Sequence, residues 1–378
     1  MFSTGHHRIL SVLSRSGPRS RTDLARVLNL SKASVTALVR ELIEQGILDE
    51  RERVFGFGRP AIMLGLRQDA ASFIGISLQS DPAQIVLTDA LGQVHLRKSI
   101  PRLTDVDACL GVMIDAIEEI QSAYPMGIGV LAGIGIVIAG IVSRDRKVCL
   151  TSTSLGWKDV DIGQRLAALT GLPVFVENDA NALIISEQLF GQSGGVSDFS
   201  LVFVGEGIGG AHIVDRRLHR GHHGGAGEMS HSPITLGEGA SLCRCGNRGC
   251  LETVAALPAI LGAARRAGLP GEMGKLLELA AEGQADAIAI LRQAGTALGA
   301  ALTQLIQFAD PARIVVRLDP LLLQSTFSEA LKQTVDTHLQ RRKGYETELV
   351  LGALHSGDFA TGAASLAAQE FLFGASFL

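Results

Sequence analysis

Three cysteines and a histidine stand close together in GEMSHSPITLGEGASLCRCGNRGCLE, at His231, Cys243, Cys245 and Cys250. Three thiolates and one imidazole make a closed tetrahedral set for Zn2+, with no open position for a catalytic water, so the metal expected here is structural. Three unligated thiols in one exposed loop would instead be prone to oxidation. The other two of the five cysteines, Cys109 and Cys149, lie singly in apolar surroundings and read as packing residues. This usage fits a reducing, cytoplasmic setting better than a secreted disulfide frame.

A second group is ENDANA, residues 177–182, which sets Asn178 and Asp179 between a strand-like LPVFVE and a helix-like ANALIISEQLF. Ligands of open α/β sheets sit at such carboxyl ends of strands. Asn-Asp is also a good helix cap, and by itself the pair reads as structural. A third is VGEGIGG, residues 204–210, which satisfies G-x-G-x-x-G. A dinucleotide site needs a helix directly after the glycines. Here AHIVD follows, whose alternation reads as a strand, so the loop is expected to be a hairpin and NAD is not expected to bind. Glu206 also places a carboxylate where a nucleotide's charge would lie.

The elements that must position these groups are legible from composition and periodicity. At 378 residues and 47% hydrophobic content the chain can bury two or three cores. A charged fraction of 19% argues against disorder, and 44 glycines suit the tight turns of an α/β architecture. Residues 1–68 hold about 11 Lys and Arg against about 6 Asp and Glu, or roughly +5, which leaves roughly −9 for the rest of a chain of net charge −4. A basic head on an acidic body points to a nucleic-acid-binding module. The N-terminus has arginines where a signal peptide needs an apolar region. The longest uncharged run, MGIGVLAGIGIVIAGIVS, is glycine-rich and reads as buried strands joined by a turn, not as a membrane span of about 20 apolar residues.

In the head, three helical patterns precede a strand–turn–strand. HHRILSVLSRSG ends at Gly17-Pro18, and SRTD offers a capping box at Ser20 and Asp23 before LARVLNL. Ser31 can cap SKASVTALVRELIEQG, in which Val35, Leu38, Val39, Leu42 and Ile43 share one face. The opposite face carries Lys32, Ser34, Thr36 and Arg40, donors without bulk of the kind a recognition helix presents to a major groove. Ser31 joins them as a candidate DNA contact. ILDERERV and AIMLGL read as the strands of a wing, and between them Arg59 in VFGFGRP could enter a narrow A·T-rich minor groove. FGFGRP also reads as a hinge to the next domain, and both roles are compatible.

From Ala70 strands and helices alternate. FIGISL and AQIVLTDA open a sheet as a hairpin, VHLRKSI adds a strand, and VDACLGVMIDAIEEIQSAY is an amphipathic helix with Leu110, Met113, Ile114, Ile117 and Ile120 on one face. IGVLAGIGIVIAGIV supplies core strand. His222 and His223, like His6 and His7, are expected at the surface.

In this order the pieces resemble the ROK family of repressors and sugar kinases over essentially the whole chain. The repressor branch carries an N-terminal winged helix; ENDANA looks like the family's catalytic signature; GEMSH (227–231) and CRCGNRGCLE (243–252) look like its zinc and sugar motif. The resemblance implies a winged helix-turn-helix followed by an actin-like (ribonuclease H-like) α/β fold of two lobes with a sugar in the cleft. The expected domains are 1–68, 69–188 completed by a C-terminal helix over 357–378, and 189–356 with the zinc site. It also implies a homodimer or tetramer. Carried over, Asn178 and Asp179 would bind sugar hydroxyls, Asp179 standing where the kinases keep their general base. Glu228, His231 and Glu252 would complete the sugar shell, and His231 would ligate zinc with Cys243, Cys245 and Cys250. Ser230 replaces a usual glycine, and Thr153 and Ser154 in TSTSLGW replace a common proline and a sugar-binding asparagine.

The family's three ATP-binding stretches are all altered. In SLQSD, Ser77, Gln79, Ser80 and Asp81 stand where D-x-G-G-T is usual, filling with side chains the space in which backbone approaches phosphate. In VGEGIGG, Glu206 replaces a threonine, and two like charges about 4 Å apart repel by roughly 1 kcal/mol in water and about 4 at an effective dielectric near 20. In IVVRLDP, Arg317, Leu318 and Asp319 replace three glycines. Phosphoryl transfer depends on neutralising phosphate charge, so ATP is not an expected ligand and Asp179 is expected to be a relic base. The reading is a sugar-responsive repressor binding palindromic operator DNA. An active ATP-dependent kinase of a hexose or N-acylated amino sugar with a DNA-binding head is the alternative, and a regulator answering to a partner protein or a phosphosugar is a third.

Overall fold

Three serines start the three helices of the N-terminal segment. Ser3 accepts the His6 amide at 3.4 Å and caps α1, Thr4–Ser16. Ser20 accepts the Asp23 amide at 3.1 Å and caps α2, Arg21–Leu28. Ser31 accepts the Ser34 amide at 3.0 Å and caps α3, Lys32–Glu44. Each hydroxyl satisfies an amide that the helix cannot pair internally. The Asp23 carboxylate receives the Ser20 hydroxyl at 2.7 Å, and that bond, with the Arg26 and Arg19 charges, holds it below the usual carboxylate range. Asn29, at φ 51°, turns α2 into α3; asparagine tolerates that left-handed geometry. Strands β1 (Arg19–Ser20), β2 (Leu48–Val54) and β3 (Ala61–Leu66) form a sheet in the order β1-β3-β2, which with the helices makes a winged helix. Its core holds Ile9, Leu10, Leu24, Val35, Val39, Leu42 and Leu64.

The computed structural model describes residues 2–54, 61–123, 128–339 and 346–374. Arg59 lies outside them. The chain forms two compact units, 1–195 with 356–378, and 196–355. The winged helix thus shares a unit with the α/β layer that follows it, and the boundary between units falls after Gly195.

In that layer β4 (Ser72–Ser77), β5 (Ala83–Asp89) and β6 (Val94–Ile100) form an antiparallel meander, and β7 (Leu131–Ile138) and β11 (Val174–Asn178) extend it in parallel, giving the order β11-β7-β4-β5-β6. The strands β8 (Ile141–Val142), β9 (Cys149–Ser152) and β10 (Trp157–Val160) make a separate small sheet. Helix α4 (Val106–Ala123) buries Leu110, Met113, Ile117 and Ile120, as its periodicity predicts, while Ile114 is only partly covered. Helices α5 (Ile162–Thr170) and α6 (Asp179–Phe190) flank β11. Cys109 and Cys149 are buried as expected, and burial pushes both thiols up to about 11.

The second unit repeats the plan. Strands β12 (Phe199–Val204), β13 (Ile208–Val214) and β14 (Arg217–Leu218) are an antiparallel meander, and β15 (Arg313–Leu318) and β16 (Glu348–Ala353) extend it in parallel, in the order β14-β13-β12-β15-β16. In both sheets the first strand is central, with the meander on one side and the two parallel strands on the other, the duplicated topology of an actin-like fold. Helices α7 (Glu252–Ala255), α8 (Leu257–Arg266), α9 (Met273–Ala281), α10 (Ala285–Ala309) and α11 (Thr326–His338) build this unit's core with the sheet around Leu291, Leu298, Leu302, Phe327 and Val316.

The chain then returns to the first unit as α12, Asp358–Phe373, which lies on β4 and β7. Glycine makes that approach possible: a Cβ at Gly75 would strike the Ala360 carbonyl, and one at Gly135 the Ala363 carbonyl. Helix α1 packs on α12, with Phe2 edge-on to Phe371 at 5.4 Å between centroids and Arg15 over the Phe373 ring at 4.4 Å. One expectation fails here. His6 is buried rather than on the surface, its Nδ1 at 2.9 Å from Ser3 Oγ and its Nε2 at 3.1 Å from a Glu41 carboxylate oxygen. His7 is partly buried, with its Nδ1 out of solvent, and His222 and His223 are exposed.

Candidate functional site

The cysteine loop folds on itself through short backbone bonds. The Cys243 amide donates to Asn247 O at 2.8 Å and the Gly246 amide to Cys243 O at 3.0 Å, so that Cys245 and Cys250 come level. The ligand atoms of His231, Cys243, Cys245 and Cys250 all lie within 4.8 Å of one another. Cys245 Sγ to Cys250 Sγ is 3.7 Å, and Cys243 Sγ to His231 Nδ1 is 3.5 Å. A tetrahedron with Zn–S near 2.3 Å and Zn–N near 2.05 Å has edges of about 3.8 Å between sulfurs and about 3.6 Å between sulfur and nitrogen. The donor set therefore fits a tetrahedral metal, with His231 offering Nδ1. Burial raises the Cys243 and Cys250 thiols, whereas the Asn247 backbone amide lowers Cys245.

The acidic residues of the two motifs surround this loop. Glu252 opens α7, directly after the last cysteine and Leu251, and is buried. Its Oε1 accepts from Cys243 Sγ at 2.8 Å and lies 3.8 Å from His231 Nδ1; its Oε2 meets Arg244 Nη2 at 2.9 Å. Glu228 is half-exposed, 3.9 Å from the outer His231 Nε2. Ser230 is buried within the single turn Met229–His231. Glu228, His231 and Glu252 are thus brought together in the second unit.

Asn178 and Asp179 lie in the first unit, where β11 gives way to α6. Asn178 is the N-cap: Oδ1 accepts the Ala180 amide at 2.9 Å, and Nδ2 donates to Gly140 O at 3.1 Å. The structural reading of this asparagine, a helix cap, is therefore realised. Asp179 is buried, its Oδ1 accepting the Ala180 amide at 2.8 Å. Beneath the pair, Glu177 Oε1 takes the Asn178 amide at 2.9 Å and the Asn181 side-chain amide at 3.0 Å. Nearby, Thr153 and Ser154 are exposed, and the Ser154 carbonyl is held by Arg102 at 2.8 Å.

Two of the three altered stretches, VGEGIGG and SLQSD, occupy equivalent hairpins of the two repeats. VGEGIGG is the β12–β13 hairpin, as expected from the strand that follows it. Val204 pairs with Ile208 across Gly205-Glu206-Gly207, and the Gly205 amide donates to Gly207 O at 2.8 Å. Glu206 is exposed, and Gly207 is covered by the Arg244 guanidinium, whose Nη2 would stand 2.9 Å from a Cβ there. SLQSD is the β4–β5 hairpin: Ser77 and Leu78 are buried, Gln79 is partly buried with its amide oxygen out of solvent, and Ser80 Oγ donates to Pro82 O at 2.9 Å. At the end of β15, Leu318 is buried, Arg317 lies beside Gly352 of β16, and Asp319 accepts the Leu321 amide at 2.9 Å. Arg244, in contact with both a hairpin glycine and Glu252, is a residue the sequence reading passed over. Its position between two cysteines of the candidate metal set was the available signal.

In the winged helix, α3 buries Val35, Val39 and Leu42 and leaves Ser31, Lys32, Ser34, Thr36 and Arg40 exposed. Ser31 and Ser34 share a hydrogen bond at 2.8 Å, Thr36 Oγ1 donates to Lys32 O at 2.8 Å, and Arg40 is 3.7 Å from Glu44. Lys32 and Arg40 are the cations on this face. Among the described residues no helix is long and apolar enough to cross a membrane.

Comparison with known proteins covers both parts. A family described as MarR matches residues 2–54, and the ROK family matches residues 73–370. The xylose repressor of Caldicellulosiruptor bescii is 26% identical over 374 residues, covering 93% of this chain and 92% of the relative. That of Bacillus subtilis is 27% identical over 371 residues, covering 96% and 94%. A crystal structure of a ROK family transcriptional regulator, a homolog of the E. coli MLC protein, aligns with a TM-score of 0.82 at 28% identity, over 98% of this chain and 96% of that one. With the duplicated sheets, the cysteine loop and a match across most of its length, this chain belongs to the ROK family.

Proposed function

We propose that this chain is a sugar-responsive transcriptional regulator, a repressor, whose kinase-derived body has lost ATP binding. The observation that carries the reading is the pairing of an exposed, cation-bearing α3 on a winged helix with stretches in which larger or charged residues replace the glycines and threonines usual for ATP. Its relatives named xylose repressors, alike over nearly full length, support it. Ser31, Lys32, Ser34, Thr36 and Arg40 meet the major groove of a palindromic operator, and Arg59 its A·T-rich flank. The effector is a sugar, its hydroxyls taken by Asn178 and Asp179 and by Glu228, His231 and Glu252. His231, Cys243, Cys245 and Cys250 hold a structural Zn2+, which replaces the protons of the buried thiols and stiffens the loop ahead of Glu252. The protein acts in the cytoplasm as a homodimer or tetramer with half-sites about 34 Å apart. A sugar weakens DNA binding only by its differential affinity for the DNA-free and DNA-bound protein. Sequencing of genomic DNA captured by the purified protein tests this: a palindromic site depleted by a sugar is expected, and recovery of no specific site would sink the reading.

A second reading, an active sugar kinase with a DNA-binding head, is favoured by one observation. Asp179 sits buried at the start of α6, where the kinases of the resemblance keep their base. Sugar-stimulated ADP release that disappears in Asp179→Asn would establish it.

A further inference from the structure

Arg244 joins three things that the proposed function leaves separate: a hairpin glycine, a sugar carboxylate and the metal loop. Its Nη2 is 2.9 Å from Glu252 Oε2, and its guanidinium covers Gly207, where even a Cβ would come within 2.9 Å. The other oxygen of Glu252, Oε1, is occupied differently, accepting from Cys243 Sγ at 2.8 Å. Glu252 is buried, and a buried carboxylate with no cation beside it would be costly.

We propose that Arg244 is the positioning residue for Glu252. It holds Oε2 and balances the carboxylate charge, so that the carboxylate keeps one orientation when a sugar hydroxyl reaches it. Gly207 stays bare to seat the guanidinium, which gives the hairpin a task in sugar recognition. This deepens the proposed function and rests on its sugar-binding reading.

A double-mutant cycle on the full-length, zinc-loaded protein tests it, with calorimetry against D-xylose, D-glucose and N-acetyl-D-glucosamine. Arg244→Ala and Gly207→Ala are each expected to weaken the bound sugar about tenfold, as loss of a supporting partner does, at unchanged zinc content. Gly207→Ala is expected to add nothing once Arg244 is Ala, because its effect is to displace that side chain. Arg244→Lys recovers part of the affinity. Wild-type affinity in Arg244→Ala, or additive losses in the double variant, would overturn the proposal. Should wild-type protein bind none of the three sugars, the sugar reading itself fails. The cycle is then read from the rate of zinc release to a chromogenic chelator: non-additive acceleration supports the Arg244–Gly207 linkage, and additive or absent acceleration refutes it.

Discussion

Cys245 Sγ and Cys250 Sγ stand 3.7 Å apart, too far for a disulfide of about 2.05 Å and within about 0.1 Å of a zinc tetrahedron's edge. Four donors meet within 4.8 Å of one another although none is a neighbour of the next in sequence. Purified protein is expected to carry one zinc per chain. Cys250→Ser is expected to lose more than 100-fold in zinc affinity and to bind sugar weakly even at excess metal. Metal analysis after gel filtration checks the first, and titration with a competing chelator the second.

The α3 cations are exposed, and the Arg40–Glu44 pair at 3.7 Å is a surface one. Lys32→Ala and Arg40→Ala are expected to leave the melting temperature within about 1 °C, because surface changes cost at most about 0.5 kcal/mol. For a phosphate-contacting residue of this pair, the slope of log K against log salt falls by about 1. DNA-binding isotherms at several salt concentrations measure it, and an unchanged slope and affinity in both variants would remove α3 from the interface.

Close approach of α12 to the sheet depends on bare backbone. Gly135→Ala forces a Cβ into the Ala363 carbonyl and is expected to cost about 3 kcal/mol or more. Gly111→Ala, on the open face of α4 with no atom within 4 Å of the new Cβ, is expected to stabilise by up to about 1 kcal/mol. Paired denaturant titrations compare the two.

The Ser20–Asp23 cap gives the winged helix a pH dependence with a defined sign. The folded Asp23 carboxyl is held down chiefly by the Ser20 hydroxyl, so its contribution is full above the unfolded value of about 3.9 and fades as pH falls through the folded one. Ser20→Ala is expected to cost about 1 kcal/mol at pH 7, with a smaller penalty near pH 3. Thermal melts at the two pH values give the difference.

What the sequence made legible was local. The serine caps of α2 and α3, the α4 face, the hairpin at VGEGIGG and the cysteine loop each depend on residues near one another in the chain, and their patterns survive in the folded protein. The unread features are long-range. His6 looked like a surface residue because nothing in HHRIL reveals that Glu41 of α3 will cover it. The second role of Asn178 depends on a carbonyl at Gly140, and that of Arg244 on Gly207, pairs that only the completed sheets bring together. The matching strand orders of the two units were equally invisible, because the repeats share topology without sharing sequence.

The central claim is that a sugar, without ATP, changes this protein's grip on DNA. Fluorescence anisotropy of a labelled duplex carrying the captured palindrome, titrated with zinc-loaded protein at fixed salt, measures it directly. The account predicts that one of D-xylose, D-glucose or N-acetyl-D-glucosamine weakens binding at least tenfold, that ATP changes nothing, and that Asp179→Asn abolishes the response. Binding indifferent to all three sugars, or a response that requires ATP and releases ADP, would contradict it.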